Sequence, residues 1–315
     1  MKSFNESLQI TKNFNLIAEA MQLLQAHGID PNLLADWIEN EAVYANQTQS
    51  INESLNHWLS EQDWTSGSGH VDINKANLEK VEQEIIANGG KVHSIVGDVS
   101  ERETHIKARE WASATGTLTA WVNCAGWTRG AALHAFPNDS RVFEELIGTN
   151  QNGTFWGCAE ALHSFVNEKV KGAIVNISSV HGRRAWRDHA LYEMTKGAVD
   201  ALTRNVAVTY GPYGIRCNAV APGAVMTPAL AKSFADAPDP KSRRESLEKL
   251  TPLKSIANAS EIAEVVAFLL SDKASYVSGQ SLAVEGAWTS ALGAIDLDPD
   301  LARSYNLDPE TGLPK

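Results

Sequence analysis

Cysteine is scarce in this 315-residue chain: Cys124, Cys158 and Cys217 stand far apart, with no paired spacing of the kind that holds zinc. That scarcity excludes a disulfide-stapled secreted scaffold and a thiolate metal centre; no metal is assigned, and the expectation is reduced thiols in the cytoplasm. Basic charge is short as well. The 27 Lys and Arg against 38 Asp and Glu leave a formal charge of −11, which argues against nucleic acid or an anionic membrane as partner. No apolar run approaches the ~20 residues of a membrane-spanning helix, and no basic stretch leads into an apolar one near Met1. Neither a membrane span nor a secretion signal is therefore expected. What remains is 43% hydrophobic and 21% charged, the balance of a soluble globular protein, on a chain long enough to bury a substantial core.

Three regions differ in pattern. In residues 1–40, Phe14, Ile17, Met21 and Leu24 recur at helical spacing, Gly28 offers a C-terminal cap, and Asp30-Pro31 opens a second helix carrying Leu33, Leu34, Trp37 and Ile38. This reads as a helical extension. From residue 41 to 290, short runs rich in Val and Ile ("KVHSIVGDV", "TLTAWVNCAG", "KGAIVNISS") alternate with amphipathic segments over residues 76–87, 140–167 and 192–210. Strands alternating with helices imply parallel pairing through right-handed crossovers, hence an α/β domain with a doubly wound sheet covered on both faces. "FADAPDPKSRRESLEKLTPLKS" interrupts the alternation with proline and charge and reads as a mobile lid. Residues 291–315 form a proline-punctuated tail.

One constellation carries chemistry. Tyr192 and Lys196 are four apart and share one helix face. Such a pair is common by chance. Here, however, Ser179 precedes the tyrosine by thirteen residues, at the end of the strand "AIVNIS", and ligands of open parallel sheets bind at strand ends. "NCAG" (Asn123 to Gly126) closes the preceding strand, Asn150 lies in "GTNQNGTF", and "APGAVMTP" (Ala221 to Pro228) follows the tyrosine helix.

In this order and spacing, the motifs resemble the short-chain dehydrogenase/reductase family, from residue 70 through "VSGQSLAVEGA" to residue 288. The resemblance implies a Rossmann-type fold and a nicotinamide-dependent enzyme acting on CH–OH groups, interconverting a secondary alcohol and a ketone. It implies that Tyr192 exchanges a proton with the substrate oxygen. Lys196 would lower the tyrosine pKa and hold the nicotinamide ribose, Ser179 would hydrogen-bond the reacting oxygen, and Asn150 would order a water in the proton path. The chemistry asks for such groups: hydride transfer to a ketone leaves an alkoxide, which needs a proton and a fixed donor.

The resemblance also distributes the cofactor contacts. Asp72, ending the strand in "GHVDINKANLEKVEQEI", would accept from the adenosine ribose and repel a 2′-phosphate, favouring NAD over NADP. Asp98 would meet the adenine, and Val99, Asn123, Ala125, Gly126, Pro222, Gly223 and Thr227 would be further cofactor-binding residues, with Tyr192 and Lys196. Counting back from Asp72, the glycine-rich turn falls on "ANQTQSIN", where Asn46, Ser50 and Asn52 occupy the glycine positions and Ile51 keeps the apolar one. Asparagine tolerates positive φ, but Ser50 and Asn52 add atoms where backbone and pyrophosphate meet, at a cost of ~1–3 kcal/mol. "TSGSG" (Thr65 to Gly69) is no substitute, because it runs into a strand with no helix N-terminus behind it.

Two other readings stay open. One is a cofactor-independent enzyme on the same fold, similar to halohydrin dehalogenases (dehalogenase- or lyase-like), although those carry arginine where Lys196 stands. The other is a non-catalytic subunit. For the substrate, a small molecule is expected. Trp127 and the segment Arg183, Arg184, Trp186, Arg187, His189 read either as a basic rim suited to a polar or anionic compound or as a solvated loop. The helices of Asn150 and Tyr192 carry Phe155, Leu162, Phe165, Ala201 and Val206, and a homo-oligomer, tetramer or dimer, is expected through them.

Overall fold

The computed structural model describes residues 68–136, 140–291 and 306. The expected helices of residues 1–40, the degenerate turn with Asn46, Ser50, Ile51 and Asn52, and nearly all of the tail lie outside them.

Every strand pairing among the described residues is parallel. Strands β1 (Ser68–Asp72) and β2 (Val92–Val96) form a pair in the register His70 to Ser94. Strands β3 (Ala120–Asn123), β4 (Ala173–Ile177), β5 (Arg216–Pro222) and β8 (Ser281–Val284) make a four-stranded sheet in the order β3-β4-β5-β8. A short pair joins β6 (Val225–Met226) to β7 (Ala257–Asn258). Helices α1 (Lys75–Ala87) and α2 (Arg102–Thr115) follow β1 and β2, and α5 (Ala190–Tyr210) and α8 (Ala259–Leu270) flank the larger sheet.

Strand β4, "AIVNI", is buried at every position, as a strand covered on both faces must be. Its side chains alternate. Val175 and Ile177 pack with Ile262, Val266 and Leu269 of α8, whereas Ile174 packs with Leu162, Phe165 and Val206 on the opposite face. Leu162, Phe165 and Val206 are thus core residues, not the interface residues expected of them; Phe155 remains exposed. Two further groups of bonds fasten the layers. Glu160 accepts from Arg102 Nε and Arg109 Nε, each at 2.9 Å; burial alone would raise its pKa, but these guanidiniums hold the carboxyl below its ordinary range. Arg216, at the start of β5, donates to the carbonyls of Leu269, Leu270 and Ser271 and so closes the end of α8.

Residues 140–167, read above as one helix, are two. Helix α3 (Arg141–Leu146) passes through a π-helical turn (Ile147–Asn152) into α4 (Gly153–Glu168). The wider turn re-aims Asn150 inward, where it is fully buried. The segment read as a lid takes in the end of α6 (Pro228–Ala235), which starts from a Thr227 cap, and all of α7 (Pro240–Glu248), which starts from an Asp239 cap.

Candidate active site

A cavity of about 200 Å³ opens where β3, β4 and β5 end. The turn after β3 contributes Cys124, Gly126, Trp127 and Thr128; the end of β4 and the residues after it contribute Ile177 to Ser179; the end of β5 and the segment through β6 contribute Pro222 to Val225 and Thr227. Tyr192 and Lys196 enter from α5, and Leu230 and Leu247 cover it from α6 and α7. Tyr192, Ser179 and Lys196 therefore meet in one cavity, together with Gly126, Pro222, Gly223 and Thr227.

The electrostatics differ from the sequence-based expectation. Burial pushes the Tyr192 phenol up to about 12, opposed by its hydrogen bond with Ser179. The Lys196 Nζ lies 5.6 Å from the tyrosine ring centroid and donates to the Ile177 carbonyl at 2.8 Å. Burial lowers Lys196 to about 8, partly countered by Cys124 and Asp200. At neutral pH the phenol thus keeps its proton and the amine is still largely protonated.

Asn150 stands behind the cavity wall. Trp127 N–H donates to its Oδ1 at 2.9 Å, and its Nδ2 donates to the Trp127 carbonyl at 2.8 Å and to Thr195 Oγ1 at 3.1 Å. The side chain thus clamps the turn after β3. Gly126 is closely approached: a Cβ there would sit 3.1 Å from Asn150 Oδ1 and 3.2 Å from Lys196 Nζ, so a neighbour would have to give by a few tenths of an ångström.

The remaining expected contacts divide. Asp72, at the end of β1, accepts from Asn74 N–H at 2.7 Å. Burial lifts the Cys124 thiol to about 12, with the Lys196 charge opposing that rise and the Asp72 charge adding to it. Asp98 accepts from Ser100 N–H at 2.8 Å, and the Val99 carbonyl accepts from His105 Nε2 at 2.8 Å, both in the turn after β2 and away from the cavity lining. Ala125 lies in the turn after β3 without lining the cavity. Asn123 turns away from it: its Oδ1 accepts from Trp121 Nε1 and its Nδ2 donates to Asn176 Oδ1, each at 2.8 Å, because a residue within the strand shares the pleat of its core-facing neighbours.

Two arginines of the basic segment are in ion pairs. Arg183 Nε lies 3.5 Å from Asp200, Arg187 Nε lies 3.6 Å from Asp188, and no arginine among the described residues lines the cavity. Trp186 packs edge-to-face on Trp288, with ring centroids 5.6 Å apart. Two polar groups escaped the sequence reading. Thr128 Oγ1 lines the cavity buried and without a hydrogen-bond partner among the described residues, and Asp200 is buried one helical turn beyond Lys196. The Lys196–Asp200 spacing was the available signal for the latter.

Comparison with known proteins bears on this arrangement. A family model described as enoyl-(acyl carrier protein) reductase matches residues 45–289. The chain is 38% identical over 205 residues to 3beta-hydroxysteroid dehydrogenase 1 of Eggerthella lenta, covering 64% of this chain and 75% of that protein. It is 34% identical over 230 residues to levodione reductase of Leifsonia aquatica, covering 70% and 84%. A crystal structure of levodione reductase superimposes with a TM-score of 0.68 at 30% identity, over 76% of this chain and 93% of that one.

Proposed function

The chain belongs to the short-chain dehydrogenase/reductase family, oxidoreductases of CH–OH groups that use a nicotinamide dinucleotide, and on that premise we propose that it reduces a ketone to a secondary alcohol, and the reverse, with NAD(H). The observation that carries this is the meeting of Tyr192, Ser179 and Lys196 in one cavity. When bound, the dinucleotide supplies the hydride. Gly126, Lys196, Pro222, Gly223 and Thr227 would hold its nicotinamide half, and Gly126 leaves out the carbon that would press on Asn150 and Lys196. Asp72 would take the adenosine ribose hydroxyls, and its negative charge disfavours a 2′-phosphate.

The protein's own steps follow. The Ser179 hydroxyl donates to the carbonyl oxygen and fixes it beside Tyr192. As charge builds on that oxygen, the phenol delivers its proton; a phenol held at about 12 is in the protonated form this step requires. The Lys196 ammonium stabilises the phenolate left behind, and Asn150 keeps the turn after β3 in place. In oxidation the same groups run backwards.

The cavity walls favour an uncharged substrate with apolar faces. Trp127, Val225, Leu230 and Leu247 line it, and Thr128 Oγ1 supplies a second polar contact. Two relatives are named for compounds of this kind, a hydroxysteroid and levodione, and an alicyclic ketone is the class proposed. Pairing with a second copy is also proposed, supported by exposed Phe155, Met194 and Val208 on α4 and α5.

The test is a fluorescence titration with NADH, followed by turnover of alicyclic ketones by the native chain and by Tyr192→Phe. Saturable binding, with turnover cut roughly 10²- to 10⁴-fold by the variant, is expected. Absence of binding at millimolar cofactor, or full turnover by Tyr192→Phe, overturns the reading.

A further inference from the structure

Asp200 sits on α5 one turn past Lys196, on the same face, with only 2% of its surface exposed. Neither carboxylate oxygen has a hydrogen-bond partner among the described residues. A buried carboxylate without such partners is costly unless opposite charges surround it. Two cations do: Arg183 Nε at 3.5 Å, and the Lys196 ammonium, which feels the Asp200 charge.

The approach of the neighbouring backbone fixes the geometry. The turn Val180–Gly182 follows Ser179, and Gly182 N–H donates to the Ser179 carbonyl at 2.9 Å. A Cβ on Gly182 would lie 2.8 Å from Asp200 Oδ2, 3.1 Å from the Lys196 carbonyl and 3.1 Å from Ser178 Oγ. Glycine therefore lets this turn lie directly on α5, with the carboxylate beneath it and Ser178 Oγ donating to the Lys196 carbonyl at 3.3 Å.

We propose that Asp200 is a positioning residue: through Arg183 it holds the Ser179 turn on the catalytic helix, and it is the fixed counter-charge of the Lys196 ammonium. The proposal rests on the reading of Tyr192 and Lys196 as the reaction centre. The titratable groups facing Lys196 are Cys124 from the end of β3 and Tyr192 and Asp200 from α5 itself. Of these, Cys124 and Tyr192 are both neutral at pH 7, because burial raises each. Asp200 is then the carboxylate among the described residues whose charge opposes the burial of the amine.

The sign follows. Without the Asp200 charge, Lys196 loses its proton at lower pH. Without Arg183, Asp200 acts on Lys196 alone, and the proton is held to higher pH. The experiment is competitive acetylation of the whole chain with acetic anhydride across a pH series, reading the Lys196 peptide by mass spectrometry, which needs neither substrate nor cofactor. A midpoint near 8 is expected for the native chain. Asp200→Asn should bring it down by about one pH unit, and Arg183→Gln should move it up. A merely structural role for Asp200 would not move the two variants in opposite directions. An unmoved midpoint in Asp200→Asn, or a downward shift in Arg183→Gln, overturns the proposal. If Asp200→Asn does not fold, Arg183→Gln decides alone, since its side chain is half exposed and its loss is tolerable. Failure of the functional reading would appear separately, as turnover surviving Tyr192→Phe.

Discussion

Replacing Gly157 with alanine tests the core beneath the cavity. On α4, a Cβ at this position would fall 1.9 Å from Asn123 Oδ1 and 2.9 Å from Trp121 Nε1. No side-chain rotation relieves that overlap without breaking the Trp121–Asn123 and Asn123–Asn176 bonds. Overpacking costs ~1–3 kcal/mol, and a buried indole N–H left unpaired costs a further ~1–3 kcal/mol. Alanine returns about 1 kcal/mol of helix propensity. The net loss centres near ~3 kcal/mol, or roughly 6–12 °C in Tm for a domain of this size. Thermal unfolding followed by circular dichroism measures it. Asn123→Ala in the same chain removes the obstructing oxygen, so the double variant should lose less than the sum of the singles. A Tm unchanged by Gly157→Ala, or strict additivity with Asn123→Ala, would refute the claim that Asn123 fills the space opposite this glycine.

Two more outcomes are expected. Gly126→Ala should reduce turnover roughly tenfold or more by pressing on Asn150 and Lys196, with a smaller change in Tm than Gly157→Ala; parallel kinetics and melting separate the two effects. His70 is buried, and burial lowers its pKa to about 4 from an ordinary 6.5. The folded chain therefore keeps a neutral ring while the unfolded chain takes up a proton, so stability is full above pH 6.5 and falls by about 3 kcal/mol as pH drops towards 4. Urea unfolding across that range should show a flatter pH dependence in His70→Leu than in the native chain.

The architecture was legible because its signals are local. Val and Ile runs ending in small residues, and the Ser179–Tyr192–Lys196 spacing, need no knowledge of distant contacts. What escaped depends on contacts far along the chain. The π-helical turn at Asn150 is stabilised by the backbone of Trp127, and periodicity over 140–167 carries no trace of that partner. The Tyr192–Lys196 spacing puts the two groups on one helix face, but burial raises the phenol and a hydrogen bond ties the amine to the Ile177 carbonyl, and neither effect is legible in the spacing. Arg183 and Arg187 look like free cations in a string of letters; Asp200 and Asp188 neutralise them in space. Leu162, Phe165 and Val206 looked available for an interface, since a helical stripe does not say which neighbour it meets.

The edge-to-face pair of Trp186 and Trp288 gives the protein a built-in optical gauge. Perpendicular indoles this near couple their excited states, so a compound that pries apart the segment before Tyr192 and the turn after β8 alters the ultraviolet dichroism without any attached dye. Separation of these two segments can thereby be followed even with molecules that are never turned over.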